Sequence, residues 1–170
     1  MNTHIILYTW NTLREDLHRL ALPKPLLVVS DRNTALAAGC APPPFLHAEH
    51  LCFETPPKAD MATAEALATR AASFGSVLAV GSGTLNDLCK YAAYQANIPY
   101  AVLATAPSMN GYVAPNASLM KDGQKQSFPA RAPVALLYDV AVLAAAPKRL
   151  IASGVGDTLC RSTVLRDAWL

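Results

Sequence analysis

The stretch Val77-Leu-Ala-Val-Gly-Ser-Gly-Thr-Leu-Asn-Asp-Leu-Cys-Lys-Tyr91 decides the fold. Val77 to Val80 is a short apolar run that predicts a buried parallel strand. From Leu85 the apolar side chains recur at 85, 88, 89, 92, 93 and 96, the period of one helix face. A strand running straight into a helix leaves Gly81, Ser82, Gly83 and Thr84 at the helix start. There, unpaired N–H groups and the positive dipole end can hold a phosphate. Two glycines would permit a sharp turn and leave no side chain over those groups. Thr84 and Asp87 have capping-box spacing, which assigns Asp87 to sealing the first turn. A tight turn with no ligand fits the same residues, because the full G-x-G-x-x-G fingerprint is absent.

Upstream, Pro25-Leu-Leu-Val-Val-Ser-Asp31 is a second β-prone run, followed by a small-residue helix over 33–38 closed by Gly39. Asp31, at a strand's carboxyl end, is placed either to accept hydrogen bonds from a ribose or to serve as an ordinary helix cap. Before it, 4–9 predicts a strand and 11–20 a helix capped by Asn11. After it, 51–54 predicts a strand and 61–74 an alanine-rich helix with Leu67, Ala68, Ala71 and Ala72 on one side. Ala41-Pro-Pro-Pro44 is a stiff connector between neighbours.

Downstream, Tyr100 to Thr105 reads as another buried strand, and 134–138 as one more. Alternating strands and helices predict an α/β fold, a mostly parallel sheet with helices on both faces. Ligands in such sheets lie beyond the strand carboxyl ends. Thr105-Ala-Pro-Ser-Met-Asn-Gly-Tyr-Val-Ala114 begins there, either as a binding loop or as an ordinary polar one. Asp122-Gly123 predicts a hairpin beside it, from which Lys125 either reaches a phosphate or stays solvated. From Pro147, a helical spacing of Leu150, Ile151, Val155, Leu159 and Leu165 is expected to be interrupted at Gly154 and Gly156.

The 170 residues are 52% apolar and 15% charged, a composition that fits one compact domain with a real core. A net charge of +2 with dispersed basic residues argues against nucleic acid as the main partner. No apolar run approaches the ~20 residues of a membrane span, and the N-terminus shows no export signal. Cys40, Cys52, Cys89 and Cys160 have no metal-site spacing. With Cys89 and Cys160 on apolar helix faces, buried reduced thiols and a cytoplasmic location are expected.

Four blocks carry a resemblance: Gly81-Ser-Gly-Thr-Leu-Asn-Asp-Leu-Cys-Lys-Tyr-Ala-Ala93, Thr105-Ala-Pro-Ser-Met-Asn-Gly-Tyr112, Gln124-Lys-Gln-Ser-Phe-Pro-Ala130 and Gly154-Val-Gly-Asp157. In this order and spacing they resemble the sn-glycerol-1-phosphate dehydrogenases, relatives of the iron-containing alcohol dehydrogenases, glycerol dehydrogenases and dehydroquinate synthases. The resemblance implies a Rossmann-like NAD(P)-binding domain over 1–146 and, over 147–170, the start of a helical metal-binding domain. It implies that Gly81, Ser82, Gly83 and Thr84, with Asp87 beside them, hold NAD or NADP at the pyrophosphate, Asp31 at the ribose, and Thr105 and Ser108 elsewhere. Asn110 and Lys125 would face a small phosphate substrate. Asp157 would be the first ligand of a catalytic Zn2+ that polarises the alcohol or ketone oxygen while a hydride passes to or from the nicotinamide.

The implied reaction interconverts dihydroxyacetone phosphate and sn-glycerol 1-phosphate, in phospholipid biosynthesis. A glycerol or other alcohol dehydrogenase is the alternative within the superfamily, and an inactive nucleotide-binding or interaction module the alternative outside it. Asn110 stands where the family usually has Asp, Ala114 where a cofactor-binding Ser is common, and Ser82 where Gly is common. His4, His18, His47 and His50 all precede the motifs, whereas the family's two metal-binding histidines come later than residue 170. Asp157 alone cannot make a catalytic metal site, which needs about three protein ligands. The chain therefore reads as the front part of a dehydrogenase. Its last helix is expected to present Leu159, Val164, Leu165 and Trp169 uncovered, which favours a homo-oligomer.

Overall fold

A computed structural model describes residues 3–7, 12–39 and 48–167. Six parallel strands form one sheet: β1 (His4–Leu7), β2 (Leu26–Asp31), β3 (Ala48–Phe53), β4 (Ser76–Gly81), β5 (Tyr100–Ala104) and β8 (Ala135–Tyr138), in the order β1-β8-β5-β4-β2-β3. Every residue of β2, β4 and β5 is buried, which is why these read as continuous apolar runs rather than alternating ones. Their side chains divide by the period of two. Leu27, Val29, Val77, Ala79 and Val102 face α3 (Met61–Ala71) and α4 (Gly83–Gln95). Leu26, Val28, Leu78, Val80 and Leu103 meet Leu13 and Leu17 of α1 (Leu13–Arg19) and Ala38 beyond α2 (Arg32–Ala37). The expected helices on both faces of a parallel sheet are present.

On α4, Leu85, Leu88, Cys89 and Ala92 are buried against the sheet, each leucine worth about 1.5–3 kcal/mol of burial. A hairpin of β6 (Asn116–Lys121) and β7 (Gln124–Pro129) lies outside the main sheet. Its two-residue turn, Asp122-Gly123, has both φ angles positive, at 52° and 75°, as a type I′ hairpin requires. Buried Ala117 and Leu119 hold it to the core, and Phe128 meets Tyr91 of α4 edge to face with ring centroids 6.2 Å apart.

Several expectations are corrected. The expected break at Gly154 and Gly156 does not occur, and α6 runs unbroken over Lys148–Asp167. A Cβ at Gly154 would lie 1.7 Å from the Pro107 carbonyl oxygen. The glycine is therefore a contact point between helix and loop, not a helix stop. A short helix, α5 (Val140–Ala144), was not anticipated; Asp139 caps it by accepting from the Ala141 and Val142 amides. Cys160 is exposed rather than buried, as is Cys52, leaving Cys89 as the buried thiol among the described residues. Gly81 and Gly83 are not in the left-handed region, which among described glycines holds Gly39 and Gly123. The βα turn thus needs their missing side chains, not their torsional freedom. Leu159 and Val164 of α6 are exposed as expected, and Val155 is exposed as well. Asn11, Cys40, the 41–44 connector, His47, Trp169 and the side chain of Leu165 lie outside the described residues.

Candidate functional site

The carboxyl ends of β4 and β5 open into a cleft of ≈ 760 Å3. Its walls bring together Ser82, Gly83, Thr84 and Asp87 from the start of α4, Ser108 and Asn110 from the loop after β5, Lys125 from the hairpin and Asp157 from α6. Residues separated by as many as 75 positions thus share one concave surface, because the chain returns to the same sheet end after each crossover. Gly81, Thr105 and Asp31 stand at strand ends outside that lining.

The two glycines of the turn divide in role. A Cβ at Gly81 would meet the Leu85 side chain at 2.5 Å, so its smallness is required by strand-to-helix packing. A Cβ at Gly83 would meet only the Met109 sulfur, at 3.5 Å, an ordinary contact. Nothing in the protein's own packing demands a glycine at 83, and the space it leaves opens on the cleft beside the first amides of α4. Ser82 is the N-cap and makes no side-chain cap bond. The start of a 13-residue helix is therefore left for an anionic ligand, and the turn fits a dinucleotide pyrophosphate.

The expected capping box of Thr84 and Asp87 is not formed, because Asp87 is drawn to stronger partners. Its Oδ1 lies 3.5 Å from the Lys90 ammonium, and its Oδ2 accepts from the Ser118 amide at 3.2 Å. Burial pushes the Asp87 carboxyl up and the Lys90 ammonium down from their ordinary pKa values, each opposed by the partner's charge. A capping box exists instead at Asp31, whose Oδ1 accepts from the Thr34 amide at 2.9 Å while the Asp31 amide donates to the Thr34 hydroxyl. Asp31 is buried at the end of β2 beside β4. The Thr105 amide donates to the Gly81 carbonyl at 3.2 Å, which locks the strand ends together.

Across the cleft, Asp157 meets Asn110 through two hydrogen bonds. The Asn110 amide donates to Asp157 Oδ2 at 2.6 Å, and Asn110 Nδ2 donates to the Asp157 carbonyl at 3.1 Å. Among the described residues no three His, Cys, Asp or Glu side chains converge. This chain's described donors therefore do not make a zinc site, which takes about three. Sequence reasoning missed Lys90, Ser118 and Met109; a lysine inside the otherwise apolar run from Leu88 to Ala93 was the available signal.

No helix among the described residues is long and apolar enough to cross a membrane. Among curated proteins, the chain is 41% identical over 92 residues to glycerol-1-phosphate dehydrogenase [NAD(P)+] of Sulfurisphaera tokodaii, a match covering 54% of this chain and 26% of that protein. It is 38% identical over 112 residues to the Sulfolobus acidocaldarius protein of the same name, covering 65% and 32% respectively. The matches thus span about a quarter to a third of the relatives' length. Among solved structures, a probable glycerol dehydrogenase from Sinorhizobium meliloti 1021 superposes with a TM-score of 0.75 at 23% identity, covering 92% of this chain and 44% of that one. An iron containing alcohol dehydrogenase superposes with a TM-score of 0.79 at 17% identity, covering 94% and 52%. These two show the shared fold. The sequence pattern of the iron-containing alcohol dehydrogenases matches residues 9–147, and the chain belongs to that family.

Proposed function

We propose that this chain is the nucleotide-binding portion of an NAD(P)-dependent oxidoreductase that interconverts dihydroxyacetone phosphate and sn-glycerol 1-phosphate. The observation that carries the reading is the open space at Gly83, beside the uncapped start of α4 and in one cleft with Asn110, Lys125 and Asp157. The Ser82–Thr84 turn would receive the pyrophosphate through backbone N–H groups. Asp31 would meet the adenine ribose from the neighbouring strand end, and Ser108 and Thr105 would border the remainder. Lys125 would face the phosphate of the substrate, and Asn110 its hydroxyls. When bound, the nicotinamide supplies the hydride acceptor or donor.

The specific substrate rests on the names of the curated relatives. Domain limits of 1–146 and 147–170, a cytoplasmic homo-oligomer and a role in phospholipid biosynthesis belong to the same proposal. A metal at Asp157 would need ligands beyond the described residues, so no step is assigned to one. The second reading, a nucleotide-binding module without catalysis, is favoured by Asn110, a neutral amide already bonded to Asp157.

Titration with NADH tests the proposal. The wild-type chain should bind, and Gly83→Val, whose branched side chain points past Met109 into the cleft, should fold normally and lose binding. Equal affinity of the two proteins would remove the turn from the site. Activity on dihydroxyacetone phosphate is not expected of residues 1–170 alone, and its detection above a chelator-treated control would show that Asp157 does not need further ligands.

A further inference from the structure

Lys90 is fully buried, and a lysine in that state is retained only where its charge and its three N–H donors are matched. Here they are. The Nζ donates to the Gly111 carbonyl at 2.9 Å and to the Asn116 carbonyl at 3.1 Å, and lies 3.5 Å from Asp87 Oδ1. The two carbonyls bracket the 3₁₀ turn Gly111–Val113, so one ammonium fixes both ends of a segment that lines the cleft. Asp87 extends the clamp, because its other oxygen accepts from the Ser118 amide on β6. The residue before Gly111 is Asn110, whose amide and side chain meet Asp157. A continuous polar path thus runs from α4, which starts at the phosphate turn, through Lys90 and Gly111 to Asn110 and Asp157.

We infer that Lys90 is a positioning residue of the cleft: it ties α4 to the Gly111–Asn116 segment and through it aligns Asn110 against Asp157. Lys90 is not among the residues that line the cleft, so its role runs through the groups it holds. The inference rests on the NAD(P) reading above, in which the turn at Ser82–Thr84 takes the pyrophosphate, and it adds that the nicotinamide half lies along the part of the cleft lined by Asn110 and Asp157. The phosphate turn does not depend on the loop, whereas the nicotinamide end does. A fault at Lys90 should therefore weaken the two halves unequally, which a general loss of folding would not do.

The test is calorimetric titration of NADH, and of ADP-ribose, which lacks the nicotinamide, into the wild-type chain, Lys90→Met and Lys90→Gln. Lys90→Met keeps the length and loses the donors; NADH affinity should fall about tenfold or more, with ADP-ribose affinity changed less than about twofold. Lys90→Gln, which retains a donor, should fall between. Unchanged NADH affinity in Lys90→Met, or equal loss for both ligands, would overturn the inference while leaving the NAD(P) reading intact. Failure of the wild-type chain to bind either ligand would remove that reading and this inference with it. If neither variant folds, amide exchange of the wild-type chain decides: NADH should slow exchange over 110–118 more than ADP-ribose does, and equal protection would overturn the assignment.

Discussion

Gly154 and Gly156 offer a controlled experiment on how α6 is seated. Both occupy the interior of a continuous helix, so replacing either with alanine should gain about 1 kcal/mol of helix propensity. The gain is common to both and cancels when the two variants are compared. Their surroundings differ: a Cβ at 156 meets nothing within 4 Å, whereas one at 154 would sit 1.7 Å from the Pro107 carbonyl oxygen and 2.9 Å from its carbon. Ordinary contact begins near 3.4 Å, so helix and loop would have to part by well over an ångström against backbone atoms. Overpacking of this kind costs about 1–3 kcal/mol. Gly156→Ala should therefore melt about 2–4 °C above wild type, and Gly154→Ala should be about 1–3 kcal/mol less stable than Gly156→Ala. Alternatively the strain is relieved by α6 lifting off the loop, which caps the loss and separates Asp157 from Asn110. Urea denaturation reads the first outcome, and faster amide exchange over 105–116 reads the second. A Gly154→Ala protein matching Gly156→Ala in both measurements would refute the contact.

The other predictions concern single groups. Thr63 holds the Asp60 carboxyl below its ordinary pKa of 3.8 by donating its backbone amide at the cap of α3. A depressed pKa in the folded state stabilises above the ordinary value and is lost as the pH falls through the folded one. The stability gap between wild type and Asp60→Asn should accordingly be widest near neutrality and close at acid pH. A gap independent of pH in paired denaturation curves would refute that cause. Burial pushes the Cys89 thiol far above its ordinary value, whereas Cys52 and Cys160 are exposed. Brief alkylation followed by mass mapping should label Cys52 and Cys160 in the native protein and Cys89 only in denaturant. Native labelling of Cys89 at the same rate would contradict its burial.

The parts of the fold legible in the sequence were those fixed by local pattern. β2, β4 and β5 are apolar at nearly every position because both faces are covered, and α4 shows its period because one stripe of it meets the sheet. The hairpin was legible because Asp122 and Gly123 suit backbone angles that few other pairs adopt. What the pattern could not show depends on distant partners. The propensity cost of Gly154 was visible, but the Pro107 carbonyl that makes the glycine necessary is 47 residues away. Lys90 is bonded to carbonyls 21 and 26 residues further on, so its burial leaves no local trace beyond apolar neighbours. The same limit explains the misread capping box. Thr84 and Asp87 have the right spacing, yet Lys90 and the Ser118 amide compete for the carboxylate more strongly than its own helix start does. Val140-Ala-Val-Leu-Ala144 is β-prone in part, and Asp139 decides for a helix by capping two amides.

The Asn110–Asp157 pair bears on how the cleft works. Where two carboxylates face each other at such short range, their mutual repulsion must be offset by a cation or by protonation of one of them. An amide at position 110 removes that requirement. Its backbone N–H meets Oδ2 of Asp157 and its side chain meets the Asp157 carbonyl, so loop and helix are held by neutral donors on a single charge. A carboxylate at 110 could not make the second of these bonds, since an ionised oxygen does not donate to a carbonyl. The arrangement is thus suited to holding α6 in place rather than to gathering several anionic ligands around one ion. Because α6 otherwise leaves Val155, Leu159 and Val164 exposed, this pair and the Gly154 contact act as a local latch. Opening of that latch would widen the cleft where Asn110 and Asp157 line it together with the Ser82–Thr84 turn.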